Sequence, residues 1–178
     1  MIVFEDESGC SMLPSVRATW APKGKTPVME HRFSWKRCSM AGALCYEPDG
    51  SDAFLVFSIR PGADNDESLI EFLAELSDLL GGRKVTLIWD GLPSHRSKKM
   101  QAFLETERHW LNVERLPGYA HELNPIEGLW GNLKATDLAN LCPETVEEIE
   151  AAADEGLSRI GSDRELCLAF MGQTPLRL

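Results

Sequence analysis

The sequence predicts a single α/β domain built on a mixed β-sheet with helices on both faces. Its 178 residues, 43% apolar and 26% charged, have the length and composition of one globular domain. The predicted elements run as three strands, then helix, strand, helix, strand and two helices. Residues 84–89 are apolar at nearly every position, which is typical of a central strand covered on both faces.

The first part of the chain predicts strands. Residues 1–6 form a short buried strand that ends in acidic residues, and segments 39–46 and 53–59 are rich in strand-forming residues. Pro48-Asp49-Gly50 is a strong turn signal, so these last two segments are expected to form a hairpin.

A helix is expected over 67–80. Asp64-Asn65-Asp66 can cap its start, leucine and isoleucine recur at helical spacing, and Gly81-Gly82 ends it. The apolar strand 84–89 follows and ends abruptly at Asp90.

The remaining elements alternate in the same way. A helix is expected over about 95–108, a short strand over 111–116 and a loop over 117–124. A further helix should begin at Pro125, and the last one, over about 143–160, has an acidic outer face that should lie away from a DNA-binding cleft.

The charge is strongly negative overall but unevenly distributed. Eighteen basic and 28 acidic residues give a net charge of −10, which argues against a domain whose main task is to grip duplex DNA. Basic residues outnumber acidic ones in 17–37 and in 83–134, whereas 38–82 and 135–178 are acidic. A polyanion is therefore expected to contact the first two segments.

The cysteines and the hydropathy indicate a cytoplasmic protein. The five cysteines are odd in number and include no C-x-x-C pair, which predicts reduced thiols and excludes a disulfide scaffold and a structural zinc site: Cys10, Cys38, Cys45, Cys142 and Cys167. The sequence has no secretory signal and no apolar run near the ~20 residues that span a membrane.

Three carboxylates are the candidates for chemistry. Asp6 follows the first strand, Asp90 follows the most apolar strand, and Glu127 lies in the first turn of a helix. Ligand sites in open α/β sheets gather at the carboxyl ends of strands, so the two aspartates converge if their strands are neighbours. Three carboxylates without histidine or thiolate suit Mg²⁺ or Mn²⁺ rather than Zn²⁺.

Each of the three has a simpler interpretation. An aspartate after a strand is usually a turn residue or a helix cap. Asn124, Pro125 and Glu127 occupy the N-cap, N1 and N3 positions of their helix, which is close to a capping box. The residue pattern alone therefore leaves open whether an acidic metal site exists.

Four short sequence motifs add to this pattern. They are residues 4–8 (FEDES), 20–27 (WAPKGKTP), 89–95 (WDGLPSH) and 123–130 (LNPIEGLW), in that order. Together they resemble the catalytic domain of DDE transposases of the mariner-like superfamily, in its bacterial insertion-sequence branch. The resemblance covers about residues 1–140.

The resemblance implies a ribonuclease-H-like fold over the whole chain, 1–178, and a metal-binding catalytic triad of Asp6, Asp90 and Glu127. The 36 residues between Asp90 and Glu127 are close to the interval typical of this superfamily. The implied activity is DNA cleavage at element ends and strand transfer into target DNA. It is expected to use two Mg²⁺ or Mn²⁺ ions, in a nucleoid-associated homodimer.

Three departures from the family are evident. Gly91 replaces an asparagine found in many relatives, and His121 replaces a proline, which puts local loop geometry in question. Relatives also carry an N-terminal helix-turn-helix region that recognises element ends, and none precedes the first strand here. We expect that region to be encoded in a separate reading frame or to have been lost.

Several other residues are candidates for supporting roles. His95 is expected either to contact a phosphate or to orient Asp90, and the residues expected to contact the DNA backbone are Lys23, Lys25, His95, Arg96, Lys98 and Lys99. Trp20 of the basic segment can stack on DNA, whereas Trp35 is expected in the core. Glu7 and Asn124 are expected to support the triad from beside it, and Trp130 to pack in the core and fix the direction of Glu127.

Two alternatives to a transposase remain open from the sequence. One is a general metal-dependent nuclease or resolvase of the same fold. The other is an inactive remnant or an assembly module that lacks its DNA-recognition region.

Overall fold

The computed structural model describes residues 1–118 and 120–176, and these form a five-stranded mixed sheet in the order β3-β2-β1-β4-β5. The strands are β1 (Ile2–Ser11), β2 (Arg37–Tyr46), β3 (Ala53–Pro61), β4 (Val85–Trp89) and β5 (Leu111–Arg115). β1, β2 and β3 are antiparallel, while β4 is parallel to both β1 and β5. The predicted mixed sheet is confirmed, with the apolar 84–89 run near its centre.

Helices cover both faces of this sheet, as predicted. They are α1 (Asp66–Leu79), α2 (Lys98–Thr106), α3 (Pro125–Thr136), α4 (Val146–Gly161) and α5 (Arg164–Gly172), with 3₁₀ turns at Ser94–Arg96 and His121–Leu123. α1 and α2 enclose one apolar core, and α3, α4 and α5 enclose the other. No helix among the described residues is long and apolar enough to cross a membrane.

Several element boundaries differ from the predicted ones. β1 runs five residues beyond Asp6, because residues 7–11 continue the antiparallel pairing with β2. α2 begins only after Ser97, whose side chain caps it, and α4 begins after its cap Thr145. α5 was not predicted, because it is short and lies directly behind α4.

Two of the five cysteines are paired, so the prediction of five reduced thiols is wrong for them. Cys10 and Cys38 lie opposite each other in the β1–β2 register, with Cα atoms 5.4 Å apart, and form a disulfide. Antiparallel pairing of distant segments brings them together, which spacing along the chain does not reveal. Cys45, Cys142 and Cys167 are free, as predicted.

The basic segment between β1 and β2 is irregular and exposed over most of its length. Trp20 is 100% exposed and Trp35 is 77% exposed, so the expected core position of Trp35 is wrong. Trp35 packs edge-on against Phe33, which is also exposed. Lys23 and Lys25 are exposed in the same segment.

Candidate active site

The three predicted carboxylates surround one open cavity of about 600 Å³. Asp6 is contributed by β1, Asp90 by the residue after β4, and Glu127 by the first turn of α3. Leu92, Pro93, Leu116, Pro117 and His121 complete much of the wall. The sequence therefore identified which acidic residues converge, although Asp6 lies within its strand rather than after it.

Parallel pairing of β1 and β4 brings the two aspartates to the same level. Phe4 lies opposite Ile88 in the register, and Asp6 and Asp90 each follow two residues later. Because side chains alternate along a strand, Asp6 shares its face with Phe4, while Glu5 and Glu7 point to the other face. The rule that sites form at the carboxyl ends of parallel strands applies here.

Asp6 is strongly affected by its surroundings. Its pKa is raised to about 7, first by burial and then by the nearby Glu127 carboxylate, with smaller contributions from Glu7 and Asp90. The indole Nε1 of Trp130 donates a hydrogen bond to Asp6 Oδ2 at 3.0 Å, which partly offsets this rise. This accumulation of negative charge at a buried carboxylate favours a proton on Asp6 or a nearby cation.

Trp130 therefore does more than the sequence predicted. It is buried on α3, as expected, but its indole holds Asp6 directly. Gly42 of β2 lies opposite Asp6, and a Cβ at Gly42 would come within 3.0 Å of the Trp130 ring. The absence of a side chain at Gly42 allows the indole to reach across to Asp6.

Asp90 is held by its own loop. Its Oδ1 accepts a hydrogen bond from the Leu92 backbone N–H at 2.9 Å, and its carboxylate remains 42% exposed. The Nδ1 atom of His95 lies 3.1 Å from both the Asp90 carbonyl oxygen and Asp90 Oδ1. His95 thus orients Asp90, which is one of the two roles predicted for it.

The other role predicted for His95 does not fit the structure. Its side chain is fully buried and stacks on Trp89 with ring centroids 4.1 Å apart, which leaves no surface for a phosphate. Burial alone lowers the pKa of His95, but contacts with Glu7 and Asp90 outweigh it, and the net shift is upward. Glu7 lies 3.2 Å from His95 Nε2 and so acts on Asp90 only through this ring.

Glu127 is free to face the cavity. Asn124 is the N-cap of α3, as predicted, and its side chain accepts from the Ile126 N–H at 3.4 Å. The Asn124 backbone N–H, however, donates to the His121 carbonyl oxygen rather than to Glu127. The capping-box interpretation of Glu127 is therefore wrong.

The other basic residues predicted to contact DNA differ in whether their charges are already paired within the protein. Arg96 and Lys98 are exposed beside the Asp90 loop and form no ion pair within the described part of the chain. Lys99 is paired with Glu67 of α1, so its charge is already partly neutralised. The acidic helix α4 lines no part of the triad cavity, in line with its predicted position.

One polar contact and one buried carboxyl group near the site have no clear signal in the sequence. Lys134, two turns after Glu127 on α3, donates to Ser8 Oγ at 2.6 Å and links α3 to β1. Glu5 is fully buried, and burial together with the neighbouring Glu7 raises its pKa well above the usual value. The only sign of this buried carboxyl group in the sequence is an acidic residue inside the predicted strand 1–6.

Comparisons with known proteins agree with this geometry. A family profile described as DDE superfamily endonuclease matches residues 1–150. The chain belongs to this endonuclease superfamily. No curated protein sequence matches the chain at a significant level.

Solved structures of similar fold include several of Mos1 transposase. A Mos1 transposase paired-end complex with the left transposon end has 20% sequence identity and a TM-score of 0.70, covering 98% of this chain and 52% of that chain. The catalytic domain of Mos1 mariner transposase has 16% identity and a TM-score of 0.62, covering 98% of this chain and 76% of that one. The DDE endonuclease chain thus spans about half the length of the transposase in the paired-end complex, and this similarity establishes a shared ribonuclease-H-like fold.

Proposed function

We propose that this chain is the catalytic domain of a transposase that cleaves DNA at element ends and transfers the strands into target DNA. The observation that carries the proposal is the convergence of Asp6, Asp90 and Glu127 on one cavity in a DDE superfamily fold. Structures of similar fold include a Mos1 strand transfer complex, at 19% identity and a TM-score of 0.70.

The donor set fits Mg²⁺ or Mn²⁺. The triad offers carboxylate oxygens, and the pKa of Asp6 is raised by burial and by neighbouring negative charge that a cation would neutralise. Mos1 paired-end complexes of similar fold are described with Mg and with Mn. Two such ions, when bound, activate the attacking oxygen and stabilise the leaving oxygen in phosphodiester chemistry.

The residues of the chain have distinct tasks in this proposal. Asp6, Asp90 and Glu127 hold the ions, Trp130 fixes the direction of the Asp6 carboxylate, and His95 fixes that of Asp90. Asn124 supports Glu127 by starting α3 at the cavity wall. Such rigid placement favours in-line attack, which is the main protein contribution in phosphoryl transfer.

DNA is the proposed partner, in a homodimer that handles two element ends together. Exposed Lys23, Lys25, Arg96 and Lys98 would contact backbone phosphates, and Trp20 offers a stacking surface. A DNA-recognition segment outside residues 1–178 would recognise the element ends. The protein would then work in the cytoplasm, at the nucleoid.

The triad is tested by comparing Asp90→Asn with Asp154→Asn, which removes an exposed carboxylate from α4. Calorimetry should show Mn²⁺ affinity reduced at least about 10-fold in Asp90→Asn and unchanged in Asp154→Asn. Cleavage of a labelled DNA duplex should fall to background only in Asp90→Asn. Unchanged metal affinity in Asp90→Asn would refute the assignment.

A strand-transfer assay with element-end DNA separates the transposase from a general nuclease. Joined products are expected from the wild-type protein in Mg²⁺ or Mn²⁺, alone or supplemented with a DNA-recognition segment. Cleaved ends without joined products would favour a nuclease, and neither product would favour an assembly module.

A further inference from the structure

A second cluster of ionisable side chains lies behind β1, on the face opposite Asp6. Glu5 and Glu7 point to this face, and His95 reaches it from the turn after Asp90. One ligand atom from each of these three residues lies within 4.8 Å of the others. The cluster uses no residue of the triad.

The cluster holds polar atoms that the described residues leave without hydrogen-bond partners. Glu5 is fully buried, and both of its carboxylate oxygens lack a partner, as do Glu7 Oε2 and His95 Nε2. His95 Nε2 lies 3.2 Å from Glu7 and 3.9 Å from Glu5, without the alignment of a hydrogen bond. Burying carboxylates in this way is costly unless a cation or protons neutralise them.

The contacts of His95 leave its Nε2 atom available as a ligand. Its Nδ1 faces two oxygens of Asp90, both acceptors, so the ring hydrogen belongs on Nδ1 in the neutral form. Nε2 then carries the lone pair, within 4 Å of Glu5 and Glu7. Histidines that bind metals usually donate their other N–H to a carbonyl or carboxylate in this manner.

We propose that Glu5, Glu7 and His95 form a second divalent-cation site, separate from the triad, that prefers Mn²⁺ or Zn²⁺ to Mg²⁺. One imidazole nitrogen with two carboxylates suits these ions, whereas Mg²⁺ favours oxygen ligands and water. A divalent ion also balances the two carboxylate charges. Through His95, the ion stabilises the loop that carries Asp90.

The test uses the Asp6→Asn/Glu127→Gln variant, which disables the triad and keeps the Asp90 contact to His95. Calorimetry with Mn²⁺ alone or Zn²⁺ alone should show about one ion bound per chain, with Mg²⁺ at least about 10-fold weaker. Electron spin-echo spectra of the Mn²⁺ form should show coupling to an imidazole nitrogen. A crystal of the variant soaked in Mn²⁺ should give an anomalous peak between the three side chains.

Adding Glu7→Gln to this variant supplies the decisive comparison, because Glu7 is partly exposed and glutamine has the same shape. Mn²⁺ affinity should fall at least about 10-fold and the nitrogen coupling should disappear, while Glu155→Gln on the exposed face of α4 changes neither. Circular dichroism and the melting temperature check that each variant folds. If the triad variant binds no Mn²⁺ or Zn²⁺, or shows no nitrogen coupling, protons neutralise the cluster and the proposal fails.

The two proposals fail separately in these measurements. Ion binding that survives in the triad variant supports the second site even if the wild-type triad binds no metal. Loss of all binding in that variant overturns the second site and leaves the triad proposal intact.

Discussion

At the scale of single residues, Asp6 is the most constrained group in the proposed active site. Burial and the carboxylates of Glu127, Glu7 and Asp90 raise its pKa, while Trp130 alone counters them through a hydrogen bond. A raised pKa in the folded state means that the ionised form of Asp6 costs stability when no metal is bound. Binding of the metal is therefore coupled to relief of this repulsion.

Asp6→Asn is expected to stabilise the metal-free protein. The folded pKa of about 7 lies above the unfolded value near 4, so wild-type Asp6 costs most stability above pH 7 and little at about pH 4. The gain should be about 1 kcal/mol at pH 8, raising Tm by about 2–4 °C, and should vanish towards pH 4. Thermal unfolding in a chelator measures it.

The control is Asp154→Asn, which removes an exposed carboxylate and should change stability by less than about 0.5 kcal/mol at either pH. A loss of stability in Asp6→Asn at pH 8, beyond that control, would show that Asp6 is not under electrostatic strain.

Trp130→Phe should raise the pKa of Asp6 above its wild-type value of about 7, because the indole N–H that lowers it is removed. Carboxyl carbon NMR of the metal-free protein measures the titration directly. Trp110→Phe is the matched control, since its indole donates to Glu107 instead. An unchanged Asp6 pKa in Trp130→Phe would mean that the indole does not hold this carboxylate.

The sequence predicted the three carboxylates and named His95, Glu7 and Asn124 as supporting residues, but it did not predict the contacts that Glu7 and Trp130 make. The three carboxylates are recognisable for two reasons. Each lies near the end of a strand or at the start of a helix, where sites form, and each lies within a sequence motif that resembles the family: Asp6, Asp90 and Glu127. The contacts from Trp130 to Asp6 and from Glu7 to His95 depend on the register between distant segments. A one-residue register shift would reverse the faces, so pattern alone does not fix them.

At the scale of secondary-structure elements, the packing of α3 on the sheet positions Glu127 and Trp130 together. The Trp130 ring and Ile126 both pack over Gly42 of β2, where no side chain intervenes. α3 is further tied to β1 by the Lys134–Ser8 hydrogen bond. The position of this helix therefore determines the geometry of two active-site side chains.

Gly42→Ala is expected to destabilise the fold by about 1–3 kcal/mol and to reduce cleavage, because its Cβ would lie 3.0–3.1 Å from Trp130 and Ile126. Denaturant unfolding and a cleavage assay measure the two effects. Gly9→Ala in β1 is the control, because the added Cβ would have only one neighbour, at 3.9 Å. Equal stability of the two variants would refute the close packing of α3 on β2.

Elements with strong periodicity were predicted well and those without it were not. The hairpin of β2 and β3, helix α1 and strand β4 agree with the prediction, because turn, cap and apolar signals coincide there. Helix α5 has only nine residues, which is too short to show a clear helical periodicity. The extension of β1 beyond Asp6 has no apolar alternation and is held by its pairing with β2. The Cys10–Cys38 pair follows from the same pairing.

At the scale of the whole molecule, basic and acidic residues are concentrated in different segments of the chain. The net charge of −10 disfavours general DNA binding, while exposed Lys23 and Lys25 lie in the irregular β1–β2 segment and exposed Arg96 and Lys98 lie beside the Asp90 loop. Arg96 and Lys98 are close in sequence to the loop residues 90–93 that line the triad cavity, whereas no residue of α4 lines it.

We therefore predict weak duplex binding with strong salt dependence for this chain alone. Fluorescence anisotropy at increasing salt should show a lower log–log slope in a Lys23→Gln/Lys25→Gln variant than in wild type, because two phosphate contacts are lost. Lys84→Gln, which keeps both lysines, is the control. Tight, sequence-specific binding that is insensitive to salt would contradict this account.

The most direct test of the catalytic assignment is a crystal of the protein soaked in Mn²⁺ and measured at the manganese absorption edge. Anomalous density is expected in the cavity among the oxygens of Asp6, Asp90 and Glu127. A well-ordered cavity without anomalous density between these carboxylates, at Mn²⁺ concentrations that support DNA cleavage, would contradict the assignment of the triad.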